Sequence, residues 1–217
     1  MAFQAVIFDL DGTLLNTLDD LAASVNYALQ KFHKPLRTVE EVRGFVGNGI
    51  AKLIERAVPD GTDKPQQEEI LQTFREYYGQ HCQDKTAPYE GIKEVLRDLK
   101  QNKIKIAVVS NKADFAVKKL IPFYFGDLIA IAKGEDEAAG IRKKPAPDMV
   151  QSVLEELGCS QEEAVYVGDS EVDLMTAGNA GLSFVGVSWG LKGRAFLEKY
   201  GLEKIADEPK ELYKFVY

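Results

Sequence analysis

The sequence predicts an α/β protein whose core is built on a parallel sheet and is interrupted by an all-helical insert. Over the second half of the chain, short apolar runs rich in β-branched residues alternate with amphipathic segments, a pattern typical of parallel strands covered by helices. A similar apolar run, Ala5–Phe8, stands alone near the start. Residues 16–82, which separate this run from the others, have helical spacing and no convincing strand.

The composition narrows the class of protein. The chain has 217 residues, of which 45% are apolar and 28% charged, and its net charge is −7. This charge argues against a broad nucleic-acid surface, and no apolar run approaches the roughly 18 residues of a membrane span. The first strand begins too close to Met1 for a signal peptide, and Cys82 and Cys159 lie outside any C-x-x-C motif. We therefore expect a cytoplasmic protein with reduced thiols and no nucleic-acid or membrane partner.

The insert is predicted to contain four helices. They are expected over residues 19–32, from residue 38, over residues 50–57 and over residues 66–80. Thr17 with Asp20, and Thr38 with Glu41, have the spacing of a capping box, which predicts that each pair opens a helix. Between the second and third helices, a Gly-Asn-Gly stretch interrupts the pattern.

Predicted strands and helices alternate after the insert. Strands are expected at residues 104–109, 128–132, 164–167 and 183–187, and helices over residues 91–102, up to about residue 121, over residues 147–157 and over residues 170–179. Together with Ala5–Phe8, these strands predict a Rossmann-like, three-layer parallel sheet core. The core would comprise residues 1–15 and 83–217, and residues 16–82 would form an inserted helical domain.

Polar side chains follow three of the predicted strands. They are Asp9 with Asp11, Ser110 with Asn111, and Asp169. Ligands of open parallel sheets bind at the carboxyl ends of the strands, so these residues should lie near one another. Side chains two apart on an extended chain point the same way, so Asp9 and Asp11 can converge. Gly12 permits a tight turn and Thr13 adds a hydroxyl, and paired carboxylates in this setting indicate a magnesium or phosphoryl site.

Each of these features also has a purely structural interpretation. Asp-Gly is a common turn signal, and Ser110 could cap the following helix. Lys144, which precedes a predicted helix, could be a solvated lysine. Asp173 lies three residues after Ser170, the spacing of a capping box, and this interpretation is compatible with a functional one.

Taken together, four motifs resemble those of the haloacid dehalogenase superfamily of phosphohydrolases. In chain order they are Asp9-Leu10-Asp11-Gly12-Thr13, Ser110-Asn111, Lys144-Pro145 and Gly168-Asp169-Ser170-x-x-Asp173. Their order and spacing match over essentially the whole chain, and the insert is similar to the small helical cap of that family. Within the family, three segments look most like phosphoglycolate phosphatases: residues 46–49, 110–112 and 144–147. Asn16, where many relatives have an acid, and Ala113, where a proline is often found, depart from the pattern.

The resemblance implies a Mg²⁺-dependent phosphatase that forms an aspartyl phosphate. Asp9 would be the nucleophile, Asp11 the general acid and base, and Lys144 a third catalytic residue beside them. The implied metal ligands are Asp9, the carbonyl oxygen of Asp11, and Asp169. Asp173 would orient a metal-bound water from behind these ligands.

The resemblance also implies how the substrate is held. The phosphate-binding residues would be Thr13, Ser110, Asn111 and Lys144. In the insert, the candidates for substrate selection are Arg43, Gly47, Asn48, Gly49 and Lys52. The Gly-Asn-Gly loop could equally be a helix-entry turn, and the two cations could simply be solvated.

The expected substrate is a small phosphorylated metabolite, with 2-phosphoglycolate as the best single choice. A sugar-phosphate mutase of the β-phosphoglucomutase type, a pyrophosphatase and a nucleotidase remain open as alternatives. A phosphoacceptor switch protein is a non-enzymatic alternative, which the paired aspartates, the insert and the motif order disfavour. The expected oligomeric state is a monomer or a homodimer.

Overall fold

A parallel sheet forms the centre of the fold in the computed structural model, which describes residues 2–136 and 140–217. The strands are β1 (Ala5–Phe8), β2 (Leu15–Asn16), β3 (Ala87–Pro88), β4 (Lys105–Ala113), β5 (Ile131–Glu135), β6 (Ala164–Gly168), β7 (Ser183–Val187) and β8 (Ile205–Ala206). Six of them pair in parallel in the order β5-β4-β1-β6-β7-β8. The first strand of the chain therefore lies between two strands that follow the insert.

Helices account for most of the remaining chain. They are α1 (Leu18–Lys31), α2 (Val39–Phe45), α3 (Ile50–Ala57), α4 (Lys64–His81), α5 (Ile92–Gln101), α6 (Asp114–Phe125), α7 (Asp148–Leu157), α8 (Glu171–Ala180), α9 (Arg194–Lys199) and α10 (Tyr213–Val216). With the parallel sheet and its flanking helices, the predicted Rossmann-like α/β fold is confirmed. Within the described residues, no helix combines the length and the apolar character that crossing a bilayer would require.

The chain divides into two units, which we call the core unit and the helical unit. The core unit contains the chain up to Asn16 together with Pro88–Tyr217, and the helical unit is Thr17–Ala87. The helical unit contains α1 to α4, and it ends a few residues later than the predicted insert of residues 16–82.

One apolar layer of the core unit shows how the sheet is stabilised. Alternate residues of β1, Ala5 and Ile7, are fully buried and belong to the same cluster as Ala107 of β4 and Tyr166 of β6. Five side chains of α7 cover this layer: Met149, Val150, Val153, Leu154 and Leu157. Because side chains alternate along a strand, the other residues of β1 face the opposite side, and they are buried too. This double burial explains the continuous apolar runs that predicted the strands.

Two strands differ from their predicted bounds. The predicted strand at residues 104–109 continues to Ala113 after an irregularity in its pairing with β5. The predicted strand at residues 128–132 lies about three residues too early, because β5 is Ile131–Glu135. The apolar run attracted the prediction, but β5 lies at the sheet edge. There Lys133 can extend to hydrogen-bond Ser152 of α7 at 2.8 Å, so polar residues are tolerated.

One predicted capping box is wrong and two are confirmed. Thr17 precedes α1 but its side chain makes no capping hydrogen bond. Asp20 instead accepts hydrogen bonds from the backbone N–H groups of Lys85, at 3.0 Å, and Thr86, at 2.8 Å. These partners are distant in sequence, so local spacing could not reveal them. Complete capping boxes are present at α2, opened by Thr38 and Glu41, and at α8, opened by Ser170 and Asp173.

Candidate active site

Three buried carboxylates meet at the carboxyl ends of β1 and β6. Asp9 follows β1, Asp169 follows β6, and Asp173 lies in the first turn of α8. One carboxylate oxygen from each lies within 4.8 Å of the others. They converge because β1 and β6 are paired and parallel, so both strands end at the same edge of the sheet. We call these three residues the acid cluster.

The ammonium group of Lys144 is the positive charge of the acid cluster. Its Nζ donates hydrogen bonds to Asp9 Oδ1 at 2.7 Å, to Asp173 Oδ1 at 2.7 Å and to the hydroxyl of Tyr166 at 3.2 Å. These three bonds account for all three protons of an ammonium group. The lysine is only 4% exposed, so its charge is compensated almost entirely by these partners.

Two residues of β4 and β6, the strands on either side of β1, hold Lys144 in place. The side-chain amide of Asn111 donates to the carbonyl oxygen of Lys144 at 3.1 Å and accepts from its backbone N–H at 2.8 Å. Tyr166, which is fully buried in β6, donates its own hydroxyl proton to the carbonyl of Val109 at 3.0 Å. The sequence analysis missed Tyr166, because nothing in the run 164–167 distinguishes its hydroxyl from an ordinary apolar core position.

Electrostatics show that negative charge is in excess in the acid cluster. Burial and the repulsion of Asp173 raise the pKa of Asp9 to about 7, although Lys144 opposes this. Burial, Asp173 and Asp9 likewise raise the pKa of Asp169 well above its ordinary value. Burial alone would lower the pKa of Lys144, but Asp173 and Asp9 outweigh it and raise that pKa. One ammonium does not balance three carboxylates, so the site is suited to a further cation.

Two glycines allow the backbone to close around Asp169. A Cβ at Gly12, whose φ is +85°, would lie 2.5 Å from Asp169 Oδ2, and one at Gly190 would lie 2.4 Å from Asp169 Cβ. The same oxygen of Asp169 accepts a hydrogen bond from the backbone N–H of Leu191 at 2.6 Å. Only glycine fits at these positions, and the carboxylate of Asp169 is thereby fixed at the edge of the sheet.

Two hydroxyl groups predicted to bind phosphate lie in the core unit. The hydroxyl of Thr13 is buried and has no hydrogen-bond partner among the described residues. A buried polar atom without a partner is costly, so this hydroxyl is suited to an oxygen-rich ligand. The side-chain oxygen of Ser110 accepts from the backbone N–H of Lys112 at 3.2 Å. The interpretation of Ser110 as a helix cap is wrong, since Ala113 occupies that position before α6.

Asp11 forms an ion pair with Lys112, which was not among the site residues predicted from the sequence. Nζ of Lys112 lies 2.9 Å from Oδ1 and 3.2 Å from Oδ2 of Asp11. Lys112 is only 4% exposed. A signal was available in the sequence: Lys112 lies two residues after Ser110, and alternation along an extended chain places both side chains on the same side.

The candidates for substrate selection in the helical unit have local partners. Arg43 pairs with Glu40 at 3.1 Å and Lys52 pairs with Glu55 at 2.5 Å, each on its own helix and largely exposed. This is the arrangement expected of solvated cations. The acid cluster, Lys144 and the Lys112–Asp11 pair, by contrast, are all buried or nearly so.

The loop before α3 is organised by Arg56. This arginine donates to the carbonyl of Phe45 at 2.8 Å and to the side-chain oxygen of Asn48 at 2.8 Å. Gly47 and Gly49 have φ values of +122° and +84°, which favour glycine, and Gly49 directly precedes α3. The predicted helix-entry turn is therefore present, and Arg56, which the sequence analysis missed, holds its central residue.

The fold and the buried lysine–carboxylate site define the class: an α/β protein with a buried charged site at the carboxyl ends of its parallel strands. The chain belongs to the haloacid dehalogenase-like hydrolase family, which it matches over residues 6–187. The resemblance inferred from the four motifs is thereby confirmed.

Relatives cover nearly the whole chain. The protein is 31% identical, over 98% of its length and 95% of the relative's, to the pyrophosphatase PpaX of Bacillus cereus strain G9842. It is 34% identical to a protein of Lactobacillus delbrueckii subsp. bulgaricus that is provisionally named a phosphoglycolate phosphatase, with a TM-score of 0.92 over 100% of this chain and 99% of that one. A Haemophilus somnus protein with the same provisional name is 28% identical, with a TM-score of 0.91 over 99% and 98% of the two chains.

Proposed function

We propose that this protein is a Mg²⁺-dependent phosphatase that hydrolyses small phosphorylated metabolites through an aspartyl phosphate. The observation that carries the proposal is the acid cluster with Lys144 bound between Asp9 and Asp173. Membership of a hydrolase family supports it. Structural carboxylates are not normally crowded in a way that raises their pKa, whereas perturbed groups of this kind concentrate at functional sites.

Asp9 is the proposed nucleophile. Lys144 binds its Oδ1, so we assign the attack on phosphorus to the other carboxylate oxygen. The same ammonium would lie beside the incoming phosphoryl group and reduce the repulsion between two anions. Lys144 thus has two proposed roles, as a catalytic residue and, once one of its three hydrogen bonds is exchanged for a phosphoryl oxygen, as a phosphate-binding residue.

The donor set at this edge of the sheet fits Mg²⁺, which prefers carboxylate and carbonyl oxygens. We propose Asp9, Asp169 and the main-chain carbonyl of Asp11 as its ligands. Asp173 already accepts hydrogen bonds from Ser170 and Lys144. We therefore propose that it orients a metal-bound water from behind the ligands. When bound, Mg²⁺ would offset the repulsion between the nucleophile and the phosphoryl oxygens.

The remaining core residues are assigned to the phosphoryl group and the leaving group. Thr13 and Ser110 are proposed to donate hydrogen bonds to phosphoryl oxygens, and the partnerless hydroxyl of Thr13 supports this. For Asn111 we propose a positioning role through the backbone of Lys144, rather than phosphate binding. Asp11 is proposed to protonate the leaving oxygen and later to activate water.

The helical unit is proposed to act as a cap that excludes bulk water and selects the leaving group. Its candidate recognition loop is residues 47–49, with Arg43 and Lys52 as weaker candidates because both are paired at the surface. As substrates we propose 2-phosphoglycolate and, as the second candidate, pyrophosphate. The pyrophosphatase PpaX relatives support the second, and the two provisionally named phosphoglycolate phosphatases support the first.

The test is phosphate release from a panel of phosphorylated metabolites, measured with Mg²⁺ and with excess EDTA. We expect activity with Mg²⁺, loss of activity in EDTA and recovery on adding excess Mg²⁺. Asp9→Asn should lower kcat by about a thousandfold or more, because it removes the attacking charge.

The matched control is Asp127→Asn, which makes the same chemical change at an exposed aspartate paired with Lys100. It should leave the turnover unchanged. Full activity in the chelator would exclude the metal, and substantial activity of Asp9→Asn would remove Asp9 from the mechanism.

A further inference from the structure

Lys112 is a buried cation that the proposed reaction leaves without a role. Its side chain is 2% exposed, and its Nζ contacts both oxygens of Asp11, at 2.9 and 3.2 Å. Lysine is almost never buried to this extent without a partner. A pair that served only to fill the interior would not need ions, because apolar residues of similar volume are often as stabilising as a buried ion pair.

The contact between Lys112 and Asp11 places the Lys112 ammonium near any oxygen atom that Asp11 binds. An oxygen atom that accepts a hydrogen bond from the Asp11 side chain lies about 2.8 Å from it. It therefore lies within about 6 Å of Nζ of Lys112. If Asp11 serves the leaving group, as proposed above, Lys112 is a cation within reach of that part of the substrate, whereas Lys144 is bound to Asp9 and Asp173.

The charges in the core unit and in the helical unit also bear on which cation could bind the leaving group. The core site contains four carboxylates, of Asp9, Asp11, Asp169 and Asp173, and two ammonium groups. A second anionic group on the substrate would add negative charge to this region, so it requires a cation near the leaving group, and Lys112 is the ammonium beside Asp11. The candidate cations of the helical unit, Arg43 and Lys52, are each compensated by a glutamate on the same helix and are exposed, where charge pairs contribute little.

We infer that Lys112 binds a second anionic group of the substrate, and that the substrate class is phosphoryl compounds whose leaving group carries a carboxylate or a phosphate. This inference rests on the proposed function and narrows it. It excludes substrates with uncharged leaving groups, such as sugars with a single phosphate, as preferred substrates. A buried ammonium gains most from an anion, because electrostatic interactions are strong where water is scarce.

The test compares two substrates that differ only in the group under question. One is 2-phosphoglycolate, and the other is 2-hydroxyethyl phosphate, in which a hydroxymethyl group replaces the carboxylate. Both leaving groups are alkoxides, so both need the same proton from Asp11. We expect the wild-type enzyme to prefer 2-phosphoglycolate by about tenfold to a hundredfold in kcat/KM, the range expected for a hydrogen bond to a charged group.

Lys112→Met should lower kcat/KM for both substrates, because it removes a partner of Asp11, and should lower it about tenfold to a hundredfold further for 2-phosphoglycolate, which abolishes the preference. Lys112→Gln, which can still donate a hydrogen bond to Asp11 without the charge, should behave in the same way. The control is Lys133→Met, which removes a lysine of β5 that pairs with Ser152 and Glu156 of α7. It should preserve the preference.

The outcomes separate this inference from the proposed function. If no phosphorylated compound is hydrolysed, the proposed function is wrong and the inference is lost with it. If the wild-type enzyme hydrolyses both substrates equally well, the inference alone is wrong, whether or not the variants fold. Equal losses of Lys112→Gln on both substrates would instead make Lys112 a positioning residue for Asp11. A parallel assay with pyrophosphate identifies which anion the wild-type enzyme prefers, a carboxylate or a phosphate.

Discussion

Both units of this protein bury an aspartate, but they satisfy its charge in opposite ways. In the helical unit, Asp20 is 2% exposed and accepts hydrogen bonds from two backbone N–H groups at the end of the unit, one of which is shared between both of its carboxylate oxygens. In the core unit, Asp9, Asp169 and Asp173 crowd together around one lysine. The first arrangement stabilises the carboxylate with neutral donors, whereas the second sets carboxylates against one another.

This is the difference expected between a structural acid and one that is proposed to function in a reaction. Asp20 connects the first helix of its unit to residues 85 and 86, so its charge contributes to the fold. In the acid cluster, burial and the repulsion of Asp173 raise the pKa of Asp9, so we expect the ionised cluster to lower the stability of the protein. Proteins retain such unfavourable arrangements where a ligand or a reaction depends on them.

The contrast between the buried aspartates of the two units can be tested most directly at Asp9. Its pKa is raised from the ordinary value of 3.8 to about 7, so the folded state binds its proton more tightly than the unfolded state. The contribution of Asp9 to the stability should therefore fall as the pH rises from about 4 to about 7. Asp9→Asn removes this cost, so in EDTA the variant should become more stable than the wild type, by on the order of 2–4 kcal/mol near pH 7.

The measurement is the unfolding of both proteins in EDTA at several pH values between 4 and 8. The advantage of Asp9→Asn should be small at pH 4, grow up to about pH 7 and shrink when Mg²⁺ is added, since Mg²⁺ would stabilise the wild type by binding. An advantage that does not change with pH would show that the acid cluster is not under electrostatic strain.

The second prediction concerns the structural aspartate. Asp20→Ala leaves the backbone N–H groups of Lys85 and Thr86 without their acceptor and should destabilise the protein by about 1.5–3 kcal/mol. Thermal unfolding of Asp20→Ala beside Asp9→Asn tests the contrast directly, because the two substitutions should shift the melting temperature in opposite directions near pH 7 in EDTA. A stable Asp20→Ala would mean that this carboxylate is not a structural anchor.

The smallest effect is expected in residues 47–49, the candidate recognition loop of the helical unit. Asn48 is held by Arg56 at 2.8 Å. Asn48→Ala should lower kcat/KM for the best substrate by about two- to tenfold, the value of one neutral hydrogen bond. It should leave an aryl phosphate nearly unaffected, because that compound makes few contacts with a cap.

Arg43→Gln, which breaks only the surface pair with Glu40, is the control and should have little effect on either substrate. If Asn48→Ala lowers activity equally on both substrates, the loop has no role in recognition.

The parts that could be predicted from the sequence are those that short-range patterns encode. The strand β7 was predicted at its observed bounds and β6 within one residue, because buried parallel strands are continuous apolar runs. The edge strand β5 was misplaced because its residues Lys133 to Glu135 are not apolar. Asp9 and Asp169 were predicted to converge because parallel strands end at one edge of the sheet, and the structure places them together. Lys144 was assigned to the site only by the family resemblance, and it lies 2.7 Å from Asp9.

The sequence by itself determined the class of fold, the family and the residues at the strand ends, since all of these depend on local periodicity and on motifs within a few residues. Only the tertiary structure decided which charges pair. Asp20 accepts hydrogen bonds from residues 85 and 86, and Asp11 pairs with Lys112. The hydroxyl of Tyr166 accepts a hydrogen bond from Lys144. Such pairs form between segments far apart in the chain. The free energy of burying a charge depends on all the groups around it, which no local pattern contains.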